Sequence, residues 1–176
     1  MKKKISKFVF TYLLPVVMIL TAGFFALHNV SDIFQKAYAV SGNGGIIYVA
    51  KNSTYNMNGG SLSGATAVNG GAVYVAYDGK FYLSGGTISG NTATTNGNNI
   101  YNAGYFTMYG GTVGSPDIIT DGYGIYNTSS MYLNGGAVYD DIYSSTVVYT
   151  KTSAQIKGKI CLGNSATIKL QDYTGD

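Results

Sequence analysis

Leu83-Ser84-Gly85-Gly86-Thr87-Ile88-Ser89-Gly90-Asn91 sets one apolar residue two positions ahead of a Gly-Gly pair and another two positions behind it. Versions of this stretch recur. The pairs fall at Gly59-Gly60, Gly85-Gly86, Gly110-Gly111 and Gly135-Gly136, spaced by 26, 25 and 25 residues. A period near 25 held through four pairs marks a repeat architecture.

Working outward from the pair, three apolar ladders can be laid out. The first is Ile47, Val73, Ile100, Ile125 and Val148, each followed at once by a tyrosine. The second has two rungs at i and i+2: Tyr55 with Met57, Phe81 with Leu83, Phe106 with Met108, Met131 with Leu133, and Ala154 with Ile156. The third follows the glycines at Leu62, Ile88, Val113 and Val138, with Ile160 in the fifth place. Alternation with period 2 marks strands with one buried face. Ahead of the first ladder stand Asn43-Gly44, Asn69-Gly70, Asn96-Gly97 and Asp121-Gly122. Such pairs accept the positive φ of a sharp corner.

Composition agrees with strands. The chain of 176 residues has 25 Gly and 17 Tyr, every basic residue is Lys, every acidic one is Asp, and Arg, Glu and Trp are absent. Strong helix formers are scarce while turn and strand formers abound. One repeat cannot bury its own apolar face, but repeats stacked about 4.8 Å apart pair strand on strand and place like residues in columns. The expected fold is all-β, a right-handed three-sided parallel β-helix of about five coils, since parallel crossovers are right-handed. Leucine-rich repeats need an L-x-x-L-x-L frame, and calcium-binding nonapeptide rolls need G-G-x-G-x-D; neither occurs here.

Residues 1–39 differ from the rest. Lys2, Lys3, Lys4 and Lys7 precede an uncharged, largely apolar run from Phe8 to Leu27, and Ala37-Tyr38-Ala39 has the small-x-small pattern of signal peptidase sites. The expectation is a signal-peptide helix cleaved after Ala39, with Ala37 and Ala39 as the recognised residues. An uncleaved anchor is the competing reading, because the run is long enough to span a bilayer. The repeat domain is then 40–176, secreted or displayed at the cell surface, touching membrane only through the export segment.

Removing the leader removes the positive charge. Residues 40–176 hold six lysines against seven aspartates, a balance of −1. No basic patch for nucleic acid remains. Cys161 is the sole cysteine, so no intrachain disulfide forms, and its setting between Ile160 and Leu162 predicts a buried thiol.

Gly71-Ala72-Val73-Tyr74 and Phe81-Tyr82-Leu83-Ser84-Gly85-Gly86-Thr87-Ile88-Ser89-Gly90-Asn91-Thr92-Ala93 resemble the repeats of bacterial surface proteins with the pectin-lyase-like right-handed β-helix. The stretch is also similar to the GGAI and FxxN signature of the polymorphic outer-membrane repeat family. The likeness spans Gly42 to about Leu162 and is strongest in the second repeat. It implies an adhesin-like or structural scaffold that contacts carbohydrate or a host or cell-surface protein. As the alternative it implies a polysaccharide lyase or glycoside hydrolase of the same class. The lysine-rich, arginine-free composition fits a Gram-positive source.

Chemistry favours binding over catalysis. The only histidine, His28, lies in the leader, so the repeat has no imidazole base and no Ser-His-Asp or Cys-His set. The resemblance implies lyases with Ca²⁺ on acidic residues and an Arg or Lys base, and Arg is absent. The acidic candidate is Asp117 with Asp140 and Asp141, which neighbouring coils could bring to one corner as hard oxygen ligands for Ca²⁺; three solvated loop aspartates is the plainer reading. No other cofactor is implied. The second candidate is the tyrosine column Tyr48, Tyr74, Tyr101, Tyr126 and Tyr149, turned outward by period 2, with Tyr82 and Tyr132 adding aromatic surface to another face. Exposed rings pack on sugars or protein partners, although a ladder of like residues also simply stabilises a stack. Unpaired strand edges at the two ends would favour end-to-end self-association. After Thr167-Ile168-Lys169-Leu170 no polar cap or wall-anchoring signal is evident, as in a fragment or a short member of a family of longer chains.

Overall fold

The computed structural model describes residues 42–118 and 121–171. The export segment, with Ala37, Ala39 and His28, lies outside the described residues. Among those described, all regular structure is β, and it comes in sets of three. The first set is β1 (Ile47–Val49), β2 (Thr54–Leu62) and β3 (Thr66–Asn69), and the second is β4 (Val73–Val75), β5 (Lys80–Ile88) and β6 (Thr92–Asn96). The third set is β7 (Ile100–Asn102), β8 (Tyr105–Met108) and β9 (Thr112–Val113), followed by β10 (Ile125–Asn127), β11 (Ser130–Leu133) and β12 (Ala137–Val138). The last are β13 (Ile142–Ser144), β14 (Val148–Thr150) and β15 (Gln155–Ile156), then β16 (Ile160–Leu162) and β17 (Ile168–Leu170).

Strands of successive sets pair in parallel, except that β6 pairs only with β3 and the long β5 takes both β8 and β9 of the third set. The first sheet runs β1-β4-β7-β10-β13-β16, the second joins β2 and β5 to the β8-β11-β14-β17 and β9-β12-β15 branches, and β3-β6 make a small third sheet. These stacked, curled sheets are compatible with a parallel β-helix. Registers join like to like: Ile47, Val73, Ile100, Ile125 and Ile142 form one column, and Phe81 lies on Phe106 with ring centroids 5.4 Å apart. The inward rungs from all three ladders form one hydrophobic core, with Val73, Phe81, Leu83, Ile88, Ile100, Phe106 and Ile125 fully buried.

The glycines hold the corners. Gly44, Gly70, Gly97 and Gly122 all have positive φ, as the Asn-Gly and Asp-Gly pairs predict. A Cβ at Gly97 would collide with the carbonyl oxygen of Ile100. The second glycine of each Gly-Gly pair also has positive φ, but in β2 and β5 the strand runs through the pair with a register shift, so the pair bends a strand before the later sets split it in two.

The repeat changes length after the fourth set, and this corrects the expected period. First-ladder rungs are 26, 27 and 25 residues apart as far as Ile125, then 17 to Ile142 and 18 to Ile160. The whole difference lies in one corner: Val113 to Ile125 takes twelve steps, Val138 to Ile142 only four. The fifth rung of the first ladder is therefore Ile142, not Val148. Val148 continues the Phe106-Met131 column, Ile156 continues Val113-Val138, and Ile160 moves to the first sheet. Cys161 consequently pairs with Tyr143 on an outward column and is half-buried, not a core residue.

Gly97→Ala is expected to cost about 1–3 kcal/mol, whereas Gly59→Ala, where a Cβ meets nothing within 4 Å, is expected to be near neutral. Chemical denaturation of the two variants checks this, and equal effects would contradict the corner role.

Candidate functional site

Because Ile and Val of the first ladder point inward, the residue after each points out. Tyr48, Tyr74, Tyr101 and Tyr126 thus occupy one outward column, as the sequence predicts, and Tyr143 takes the fifth place. Tyr149 does not belong to it. With the short corner in force, Tyr149 falls on β14 beside Tyr132 and Lys169 in the second sheet.

The column is a continuous stack. Ring centroids are 5.3, 5.1, 5.4 and 4.5 Å apart from Tyr48 through Tyr143, and successive planes differ by 8°, 9°, 13° and 21°. Offset stacking at such spacings is worth about 0.5–1.5 kcal/mol per pair beyond area burial. Tyr123 crosses the end of the stack, its ring 5.4 Å from that of Tyr143. Tyr48 is 56% exposed, while Tyr74, Tyr101, Tyr126 and Tyr143 are half-buried, so the rims of the rings form the surface.

Stacking shifts ionisation. Burial pushes the Tyr74 phenol up, and the neighbouring Tyr101 and Tyr48 add to it. Tyr126 is raised by burial first, then by Tyr143 and Tyr101. Tyr123 is raised chiefly by the neighbouring Cys161, whose thiolate form disfavours a second negative charge.

The aspartates are not brought together as a metal site. Asp140 is only 5% exposed and fills space left by Gly114 and Gly124, where its Oδ2 accepts a hydrogen bond from Asn99 Nδ2. Asn99 Oδ1 in turn accepts from Asn91 Nδ2 at 2.8 Å, and Asn91 Oδ1 accepts from the Ala65 amide at 3.0 Å. Asp141 faces another way and accepts from the Lys159 amide at 2.7 Å, while Asp117 is an exposed turn residue beside Ser115. Among the described residues no group of three or more His, Cys, Asp or Glu could hold a metal ion.

Two features escaped the sequence reading. One is an internal polar ladder: Asn102 Nδ2 donates to Asn127 Oδ1 at 2.6 Å, and Asn127 Nδ2 donates to Ser144 Oγ at 2.9 Å, all three fully buried. Its signal is the triplet Ile-Tyr-Asn at 100–102 and 125–127 with Ile-Tyr-Ser at 142–144. The other is a groove on the outside of the second sheet, lined by Tyr82, Tyr105, Thr107, Tyr109, Tyr132 and Asn134 among others. No protein-family model, curated protein or solved structure matches the chain.

Two outcomes are expected. Asp140→Ala strands the Asn99 amide and lowers stability by about 1–3 kcal/mol, whereas millimolar Ca²⁺ leaves the denaturation midpoint of the full chain unchanged; a calcium-induced rise would contradict the structural role. The raised phenols of Tyr74 and Tyr126 bind protons more tightly folded than unfolded, so their contribution is complete below the unfolded value of 10.0 and is lost as pH rises through the higher folded values. Alkaline unfolding followed by circular dichroism should show that loss, and Tyr74→Phe should reduce it.

Proposed function

We propose that this chain is an exported, surface-displayed β-helical scaffold that binds glycan or protein surfaces through its lateral faces. In this reading the stacked strands wind as a right-handed, three-sided solenoid, and the lysine-rich leader at 1–39 delivers it outside the cell. The observation that supports it best is the five-ring tyrosine stack on the first sheet, whose rims lie at the surface. Aromatic rings held in register lose little conformational entropy on contact and offer both an apolar body and a hydroxyl rim. A flat, repetitive surface of that kind suits adhesion to an extended or repetitive partner. Stacking also stabilises the coil, and the two roles are compatible. No catalytic step belongs to this reading.

Tyr74→Ala combined with Tyr101→Ala is expected to weaken binding to a glycan or cell surface by about tenfold or more, the effect of losing two aromatic contacts, while circular dichroism shows the β fold intact. Undiminished adhesion by the folded double variant would remove the column from the binding surface.

A further inference from the structure

Tyr123 stands apart from the tyrosine columns. It follows the Asp121-Gly122 corner, where its carbonyl accepts a hydrogen bond from the Asn98 amide at 2.9 Å and the next residue, Gly124, donates its N–H to the Asp141 carbonyl. Its backbone is thereby fixed three residues ahead of Tyr126, and its side chain meets the rings of two coils. The Tyr123 ring lies 5.4 Å from that of Tyr143 with the planes 46° apart, and 6.3 Å from that of Tyr126 at 58°.

The ring pairs are of two kinds. In-register pairs such as Tyr126 with Tyr143 are anchored on strands one rung apart, about 4.8 Å, and lie face to face, with planes 8° to 21° apart along the first-sheet stack. A carbon–carbon bond between two phenol rings joins them edge to edge, so their anchors must stand further apart than one rung. Pairs held face to face at strand spacing do not open to that geometry. Tyr123 and Tyr143 do, because their anchors are offset along paired strands and their rings are already tilted.

The surroundings leave the pair room. A Cβ at Gly163 would stand 3.1 Å from the Tyr143 hydroxyl oxygen, so a glycine there keeps that end uncrowded. The Tyr123 phenol is raised first by Cys161 and, among lesser causes, by Tyr143, in keeping with two phenols and a thiol in one neighbourhood. Tyr123, Tyr143 and Cys161 are all half-buried, open in part to a small oxidant. Cys161 is the only cysteine, so no disulfide can tie one coil of this chain to another.

We infer that Tyr123 and Tyr143 form an oxidative modification site, at which hydrogen peroxide acting through a haem peroxidase joins the two rings as dityrosine. Each phenol gives up its hydroxyl hydrogen as a proton and an electron, which leaves radical character on the ring carbons beside the oxygen. Two such carbons bond, and each then passes its own hydrogen to its oxygen, which restores both phenols. The two electrons and two protons reduce one peroxide to two waters. The link ties the corner ahead of β10 to β13 in the next coil. It uses one ring of the tyrosine stack but does not rest on that stack being a binding surface.

The test treats the full chain, dilute, with hydrogen peroxide and a haem peroxidase, followed by dityrosine fluorescence, intact mass and mapping of cross-linked peptides. The expected product is monomeric, lighter by two hydrogens, and joined between Tyr123 and Tyr143. Tyr123→Phe and Tyr143→Phe each keep the ring and remove the phenol, and each should abolish the link while circular dichroism shows the fold retained. Tyr77→Phe removes a far more exposed phenol, 67% against half-buried, and should leave the yield unchanged. Cys161→Ser should also leave the link in place. Absence of the Tyr123–Tyr143 link overturns the inference, as do links formed chiefly at Tyr77, within the in-register stacks or between copies, and so does a tyrosine–cysteine thioether as the main product.

Discussion

Parallel backbone pairing in register is the constraint on which everything else depends. Strands bond in parallel to strands of the neighbouring set, so a residue type chosen for one rung is repeated at strand spacing along a column. The core is therefore built from columns, with Phe81 on Phe106 and Ile100 on Ile125, in place of the irregular interdigitation of a globular domain. The same rule works outside, where it turns a tyrosine after each inward Ile or Val into a stack of rings.

Pairing constrains strands and leaves corners free. The corner after the third ladder holds β3 and β6 in the early coils and shrinks to a few residues after Val138, yet Ile125 still pairs with Ile142. Loop length affects stability only weakly, roughly with its logarithm, so a coil can lose the corner without losing its place in the stack. What the corner cannot lose is backbone geometry: Gly70 and Gly97 sit where a side chain would strike the carbonyl of the next strand.

Polar residues obey the same column rule. Asn102, Asn127 and Ser144 are inward rungs where Val49 and Val75 stand in the first two coils, and each bonds to the next. Buried amides are tolerated because the neighbour one coil away supplies the partner. Asp140 shows the cost of ignoring this in sequence reading: its carboxylate looked available for metal, and the fold commits it to Asn99. The groove at Thr107 is the converse case, a column where one rung departs from its neighbours and leaves space.

The sequence by itself determined the β class, the inward and outward alternation, the ladders through Leu133 and Val138, the Asn-Gly corners and the first four tyrosines of the stack. All of these follow from local pattern repeated at a fixed period. It could not choose between Ile142-Tyr143 and Val148-Tyr149, because both offer an apolar residue followed by tyrosine and alternation is blind to which sheet a strand joins. Tertiary pairing decided it, since three residues suffice to carry the chain from Val138 back to the first sheet at Ile142 and the hydrogen bonds then fix every later register. Only pairing, likewise, could place Thr107 between Tyr82 and Tyr132, residues 25 positions away on either side that share a groove because their strands share a sheet.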